Sequence, residues 1–151
     1  MGTLGHRIFA SWLLFGTAIG ATAQEYIDGP WVRNHDTDRV DDSKICIVQI
    51  EGASAPHPWF HFSKSGLVIA IVDENYPGRE ETFRVDKNDA ISGVGGLSGK
   101  AAEKLIQQIK AGGKTLLIRS IAWPSGAPKV REMELEGILE PLEGCQQYVT
   151  K

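Results

Sequence analysis

The sequence predicts a mostly β domain, an antiparallel sandwich-like fold with one helix inserted late; an α+β domain is the alternative. Three observations predict it. Short runs rich in Val, Ile, Phe and Thr recur along the chain, each bounded by Gly, Pro, Asn or Asp. A single stretch, Gly99 to Ala111, places apolar residues at the 3.6-residue period of a helix. No internal repeat or low-complexity tract interrupts the 151 residues, a length that suits one ordinary domain.

The N-terminal segment is of a different kind. Arg7 is the only Lys, Arg, Asp or Glu before Glu25, and an apolar run from Ile8 to Phe15 follows it. Ala21-Thr22-Ala23 then sets small residues at the two positions a signal peptidase reads. This layout predicts a cleavable export signal over residues 1–23 and a folded domain over 24–151. A membrane-spanning helix takes about 20 apolar residues, more than this run supplies, so no span is expected in the processed chain. No Cys stands near the cut to accept a lipid, and Arg7 has no Arg neighbour to form a twin-arginine signal. The short charged region suits a bacterium, which makes the periplasm or the exterior the expected destination.

Within the domain, Asp28-Gly29-Pro30 predicts a turn before Trp31-Val32-Arg33, and the Asp-rich stretch Asn34 to Ser43 reads as loop. Lys44 to Glu51 is β-branched and predicts a strand, with Cys46, Val48 and Ile50 on one face and Ile45, Ile47 and Gln49 on the other. Pro58 to Phe62 predicts a short aromatic strand at a sheet edge. Its two faces carry His57, Trp59 and His61 on one side and Phe60 and Phe62 on the other. Gly66 to Val72 is another strand, and the turn Asn75-Tyr76-Pro77-Gly78 joins it as a hairpin to Glu81 to Asp86. Ser98 is placed to cap the helix, and Gly112-Gly113 to end it. Thr115 to Ala122 and Lys129 to Leu135 are strands joined through Trp123-Pro124-Ser125-Gly126-Ala127-Pro128. A last short helical turn holds Ile138, Leu139 and Leu142 before Gly144-Cys145.

Charge and motifs exclude several functional classes. The formal net charge is −3, and Lys and Arg are dispersed among acids, so no basic face for nucleic acid or anionic lipid is expected. The cluster Gly93 to Lys100 resembles a phosphate loop only in outline. Val94 and Ala101 break the P-loop pattern and Ser98 breaks the dinucleotide pattern, which leaves a flexible turn leading into the helix. Asp36, Asp38, Asp41 and Asp42 lack the glycine and terminal glutamate of a calcium loop and read as a solvated acidic loop. His57 and His61 would lie about 13 Å apart along a strand, too far to share a metal. No Gly-x-Ser-x-Gly elbow is present. The reading is of no catalytic residue, no cofactor and no metal.

Cys46 and Cys145 are the only cysteines, and neither has a second Cys or a His at zinc-ligand spacing. In a chain that enters an oxidising compartment they are expected to form one disulfide. The expected partner-binding residues are Trp59 between two histidines, Tyr76 on a Pro-Gly turn and Trp123 beside the Pro124–Pro128 loop. Such residues bury much area at little entropic cost.

The chain resembles the invasion-associated locus B family of exported proteobacterial proteins. The resemblance is carried by Trp31-Val32-Arg33, by Ile45-Cys46-Ile47-Val48-Gln49 and by Gly66-Leu67-Val68-Ile69-Ala70. It continues through the segment from Lys104 to Leu116 and through Met133-Glu134-Leu135-Glu136-Gly137-Ile138-Leu139. It implies a β-rich envelope protein with a part in virulence, through host-cell entry or envelope integrity. It implies no catalytic residues. The competing expectation, from fold analogy alone, is a periplasmic inhibitor of a hydrolase such as lysozyme.

The export reading makes a direct prediction. Mass spectrometry of the protein taken from its native envelope should find a chain starting at Gln24. Recovery of the full-length chain with Met1 would sink it.

Overall fold

In the computed structural model, which describes residues 25–27, 29–72 and 78–151, the strand-forming runs assemble into two five-stranded sheets. In chain order the strands are β1 (Glu25–Ile27), β2 (Trp31–Thr37), β3 (Lys44–Ile50), β4 (His57–Ser63), β5 (Gly66–Val72), β6 (Glu80–Val85), β7 (Ile91–Val94) and β8 (Leu97–Ser98). Helix α1 (Gly99–Lys110), strands β9 (Thr115–Ile121) and β10 (Pro128–Glu134), and helix α2 (Leu139–Thr150) complete the chain. One sheet has the order β2-β3-β4-β5-β8 and the other β1-β10-β9-β6-β7. All pairings are antiparallel except that of β1 with β10. The mostly β, sandwich-like prediction therefore holds, with a second helix added. The predicted export segment, residues 1–23, lies outside the described residues.

The period-2 pattern of each strand decides what enters the core. Val48, Phe60, Ile69 and Leu97 form one continuous cross-strand row, fully buried on the inner face of the first sheet. Phe83, Val85, Leu116, Ile118 and Met133 are buried on the inner face of the second. Trp31 links the two layers: its indole Nε1 donates to the Glu134 carbonyl at 2.9 Å, and its ring meets Phe60 edge-on at 5.9 Å. Arg131 makes a second link, its buried guanidinium donating to the Ser54 carbonyl at 2.8 Å and to the Pro56 carbonyl at 3.3 Å. Buried polar groups satisfied in this way tie specific loops to specific strands.

Both helices close the core. α1 buries Ala102, Leu105 and Ile109, the stripe its 3.6 period predicts. Ser98 stands at its N-cap in extended conformation, as expected, but its hydroxyl makes no capping hydrogen bond. α2 buries Pro141, Leu142 and Cys145, and Cys145 is bonded to Cys46 in β3 with a Cα–Cα separation of 5.2 Å. Both sulfur-bearing residues are 0 % exposed.

Five local expectations need correction. The stretch after Arg33 is not loop as far as Ser43: β2 continues to Thr37, pairing residue for residue with β3. Its polar residues read as loop because it is an edge strand, and the ladder overrides their weak strand propensity. β4 is not an edge strand, since it lies between β3 and β5. β5 and β6 do not form a hairpin, because the chain leaves one sheet and joins the other between them. Beside β5, the buried Glu81 carboxylate accepts the Ile71 N–H at 2.8 Å, a carboxylate from the opposite sheet serving one β5 donor. The glycine cluster is not simply a flexible turn. It contains the end of β7 and all of β8, and Gly96, at φ +103°, carries the chain across so closely to β5 that a Cβ would collide with the Ile69 carbonyl. Finally, the C-terminal helical turn is a twelve-residue helix. Pro141 is tolerated because the first-turn N–H groups have no intrahelical acceptor. At Gly144 the helix passes under Arg33, whose guanidinium occupies the space where a Cβ would project.

The disulfide closes a sequence separation of 99 residues, for which the chain-entropy model gives about 4.7 kcal/mol. Non-reducing peptide mapping should recover Cys46 and Cys145 in one linked species, and Cys145→Ser should cost about 2–5 kcal/mol in chemical denaturation. Two alkylatable thiols in protein taken from the envelope would contradict the link.

Candidate binding face

A strand buried on one side normally offers polar residues on the other. β3 and β5 largely do not, and β4 sets Trp59 among His57, His61 and Ser63. With Cys46, Val48, Ile50, Phe60, Phe62, Ile69 and Ile71 turned inward, the same alternation turns Ile45, Ile47, Trp59, Val68, Ala70 and Val72 outward. Val68 and Val72 are 37 % and 39 % exposed, and Ile45, Ile47, Trp59 and Ala70 are half-buried. The register sets them in rows. Val32, Gln49, Trp59 and Ala70 lie side by side across four strands, and Asn34, Ile47, His61, Val68 and Ser98 form the next row across five. Neither row contains Asp, Glu, Lys or Arg. The Trp59 and His61 rings lie 5.4 Å apart at 55°.

The outer face of the other sheet is built differently. There Ser92, Thr82, Arg119 and Val130 share a row, as do Arg84, Leu117 and Glu132. Arg119 Nη2 donates to Thr82 Oγ1 at 3.1 Å, Thr82 and Ser92 share a hydroxyl hydrogen bond at 3.0 Å, and Arg84 Nε donates to the Asn88 carbonyl. Polar side chains bound to one another suit a face turned to water. The outer face of the first sheet thus exposes more aliphatic and aromatic surface than that of the second.

Of the residues singled out in the sequence, Trp59 lies centrally on this face. Trp123 stands elsewhere, 50 % exposed in the β9–β10 turn, where the Ala122 and Gly126 N–H groups donate at 2.8 Å to the Ala127 and Ala122 carbonyls. Tyr76 lies outside the described residues. His57 borders the face beside Val72. Burial holds its imidazole below the ordinary value of 6.5, the Arg131 charge adding to the effect and the Ser54 backbone opposing it.

Other features are visible only in three dimensions. His35 of β2 stacks on Tyr148 of α2 with ring centroids 4.0 Å apart, and Lys44 Nζ stands 5.2 Å from the same tyrosine ring. Nothing in the local sequence signals this, because it depends on where α2 docks. A groove of about 480 Å³ lies between α1, α2 and the β4–β5 turn, floored by Phe62, Leu67, Ile106 and Val149. Its lining holds no histidine or cysteine. The acidic β2–β3 loop is largely satisfied within itself. Asp36, Asp38 and Asp41 accept the N–H groups of Thr37, Val40 and Ser43, and Asp41 pairs with Lys64, which holds its carboxyl down at about 2. Among the described residues no three His, Cys, Asp or Glu are grouped to hold a metal ion, and no helix is long and apolar enough to cross a membrane.

No protein-family model, curated protein or solved structure matches the chain.

Because folding holds His57 neutral while the unfolded chain titrates it normally, the unfolded state binds more protons as acid is added. Stability should be full above pH 6.5 and fall as pH drops below it. Calorimetry at mildly alkaline and mildly acidic pH should show a smaller acid loss for His57→Gln than for the parent. Equal losses in the two proteins would remove His57 from the account.

Proposed function

We propose that this chain is an exported, disulfide-stapled binding protein of the bacterial periplasm or exterior, catalysing nothing and capturing a partner on the outer face of the β2–β5 sheet. The observation that carries this reading is the pair of rows around Trp59 that hold no Asp, Glu, Lys or Arg, with Val32, Ile47, Trp59, Val68 and Ala70 set among Asn34, Gln49, His61 and Ser98. Ile45, Ile47, Trp59, Val68 and Val72 stand on the water side of the sheet, and a partner that buries what they leave exposed gains about 25 cal/mol per Å² of apolar area. The buried Cys46–Cys145 bridge supports an oxidising compartment. The resemblance to invasion-associated locus B proteins supports a role in host-cell entry or envelope integrity.

The competing reading, an inhibitor of an envelope hydrolase such as lysozyme, needs a projecting charged loop. The Trp123 turn has no charged residue between Ala122 and Pro128, and the acidic β2–β3 loop spends two of its carboxylates, Asp38 and Asp41, on its own N–H groups. The sheet face is therefore the better supported of the two.

Pull-down from envelope extract and from host-cell surface extract should recover a partner with the parent protein. Trp59→Ala should weaken capture by an order of magnitude or more, as removal of a central aromatic anchor costs about 2 kcal/mol, and leave thermal stability nearly unchanged. Capture lost with Trp123→Ala and kept with Trp59→Ala would move the site to the β9–β10 turn. Turnover of a glycan, peptide or ester that survives further purification, or stoichiometric inhibition of lysozyme, would overturn the proposal.

A further inference from the structure

Polar and apolar side chains alternate across the outer face of the β2–β5 sheet. Asn34, Ile47, His61, Val68 and Ser98 follow one another in one row, and Val32, Gln49 and Trp59 in the next. Gln49 therefore stands between Val32 and Trp59, and His61 between Ile47 and Val68. We infer that this face binds an uncharged glycan chain, one sugar ring lying on the Trp59 indole with its hydroxyls bonded by Gln49, His61 and Asn34. The inference rests on the reading of this face as a binding surface and names the chemistry of the occupant. Three observations select it.

The first is the pattern. A protein–protein interface segregates its groups, an apolar centre inside a polar rim. Here amide and imidazole groups stand within the face, one strand spacing of about 4.8 Å from aliphatic neighbours. A pyranose alternates in the same way, with C–H bonds on its ring faces and hydroxyls around its edge. It covers both kinds of group at once, its weakly positive C–H bonds meeting the negative face of the indole.

The second is unspent hydrogen-bonding capacity. Among the described residues the side chains of Asn34, Gln49 and His61 and the Trp59 indole N–H have no hydrogen-bond partner, and none of these groups is sealed from water. On the other sheet Thr82, Ser92, Arg84 and Arg119 are bonded to one another or to backbone already. An apolar partner laid on the first face would bury its amides and imidazole unpaired, at a cost in affinity. A hydroxyl both donates and accepts, so a sugar satisfies amide, imidazole and indole alike.

The third is charge and size together. The two rows offer no Lys or Arg to a carboxylate or sulfate, and Asp36, which borders them on β2, repels one. Four seven-residue strands, at about 4.8 Å spacing and about 3.3 Å rise, project onto roughly 400 Å². That is less than the roughly 800 Å² a protein partner covers in a standard interface, and it accommodates a few sugar rings.

A glycan array carrying uncharged oligosaccharides beside sialylated, uronic and sulfated ones, followed by calorimetric titration of the tightest ligand, tests this with the exported protein. The parent should bind uncharged members. Trp59→Ala should weaken binding by about tenfold or more, and Gln49→Leu and His61→Leu by about fivefold or more each, with unchanged melting temperatures. Trp123→Ala, in the β9–β10 turn, should leave binding unaltered. Binding to no uncharged glycan, binding that requires an acidic sugar, or binding kept by both leucine variants overturns the inference. Capture of a protein that falls with Trp59→Ala and is kept or tightened by Gln49→Leu, with no glycan bound, overturns the glycan and leaves the binding face standing. Glycan binding and partner capture both unchanged by Trp59→Ala remove the face, and both readings with it.

Discussion

A two-sheet sandwich must choose which side of each strand faces inward, and in β3 the choice is not forced by hydrophobicity. Cys46, Val48 and Ile50 alternate with Ile45 and Ile47, so either side would supply apolar residues. A one-residue slip of register exchanges the two sides completely. The bond from Cys46 to Cys145 is incompatible with the slipped arrangement. Cys145 lies on the buried side of α2, and the bond brings that helix onto the same side of β3 as Val48 and Phe60. Arg33 and His35 follow, meeting Glu140 at 2.8 Å and stacking on Tyr148 along the helix. With α2 on the inner side and α1 packed into the same core, no element of the described chain is left to cover the outer rows.

The inequality between the two outer faces follows from this placement. One sheet spends its outer positions on Thr82, Ser92, Arg84 and Arg119, which bond to one another and to backbone. The other sets half-buried Trp59, Ile45 and Ile47 and the exposed Val68 and Val72 among Asn34, Gln49, His57, His61 and Ser98. The inner residues of both sheets are fully explained by the core they form. Among the described residues the outer positions of the first sheet have no such explanation, and a surface without an internal reason is where an external one is sought.

Much of the fold is legible in the amino-acid sequence, wherever the neighbours of a residue along the chain decide its state. The β-branched runs of β3, β5 and β9 and the helical stripe of α1 fall where periodicity places them, since a long periodic segment buries the same face whatever its partners. Segments whose state depends on a distant partner are not legible in this way. The polar half of β2 is a strand because β3 pairs with it, and α2 is a full helix because the core receives Leu142 and Cys145 from it. The exit of β5 into the opposite sheet leaves no local mark, because a Pro-Gly turn looks alike in a hairpin and in a crossover.

The same division holds for the candidate site. Sequence alone determined that Trp59 shares a strand face with His57 and His61, that Cys46 points with Val48 and Ile50, and that two cysteines in an exported chain would pair. Each of these is a consequence of alternation along one strand or of compartment chemistry. Tertiary structure alone decided that Ile47, Gln49, Val68 and Ala70 stand beside Trp59, that β4 is central rather than an edge, and that Trp123 belongs to a different sheet. Register between strands is set by which rows can be buried together and by the covalent tie to α2, and that is a property of the closed sandwich, absent from any one segment of its sequence.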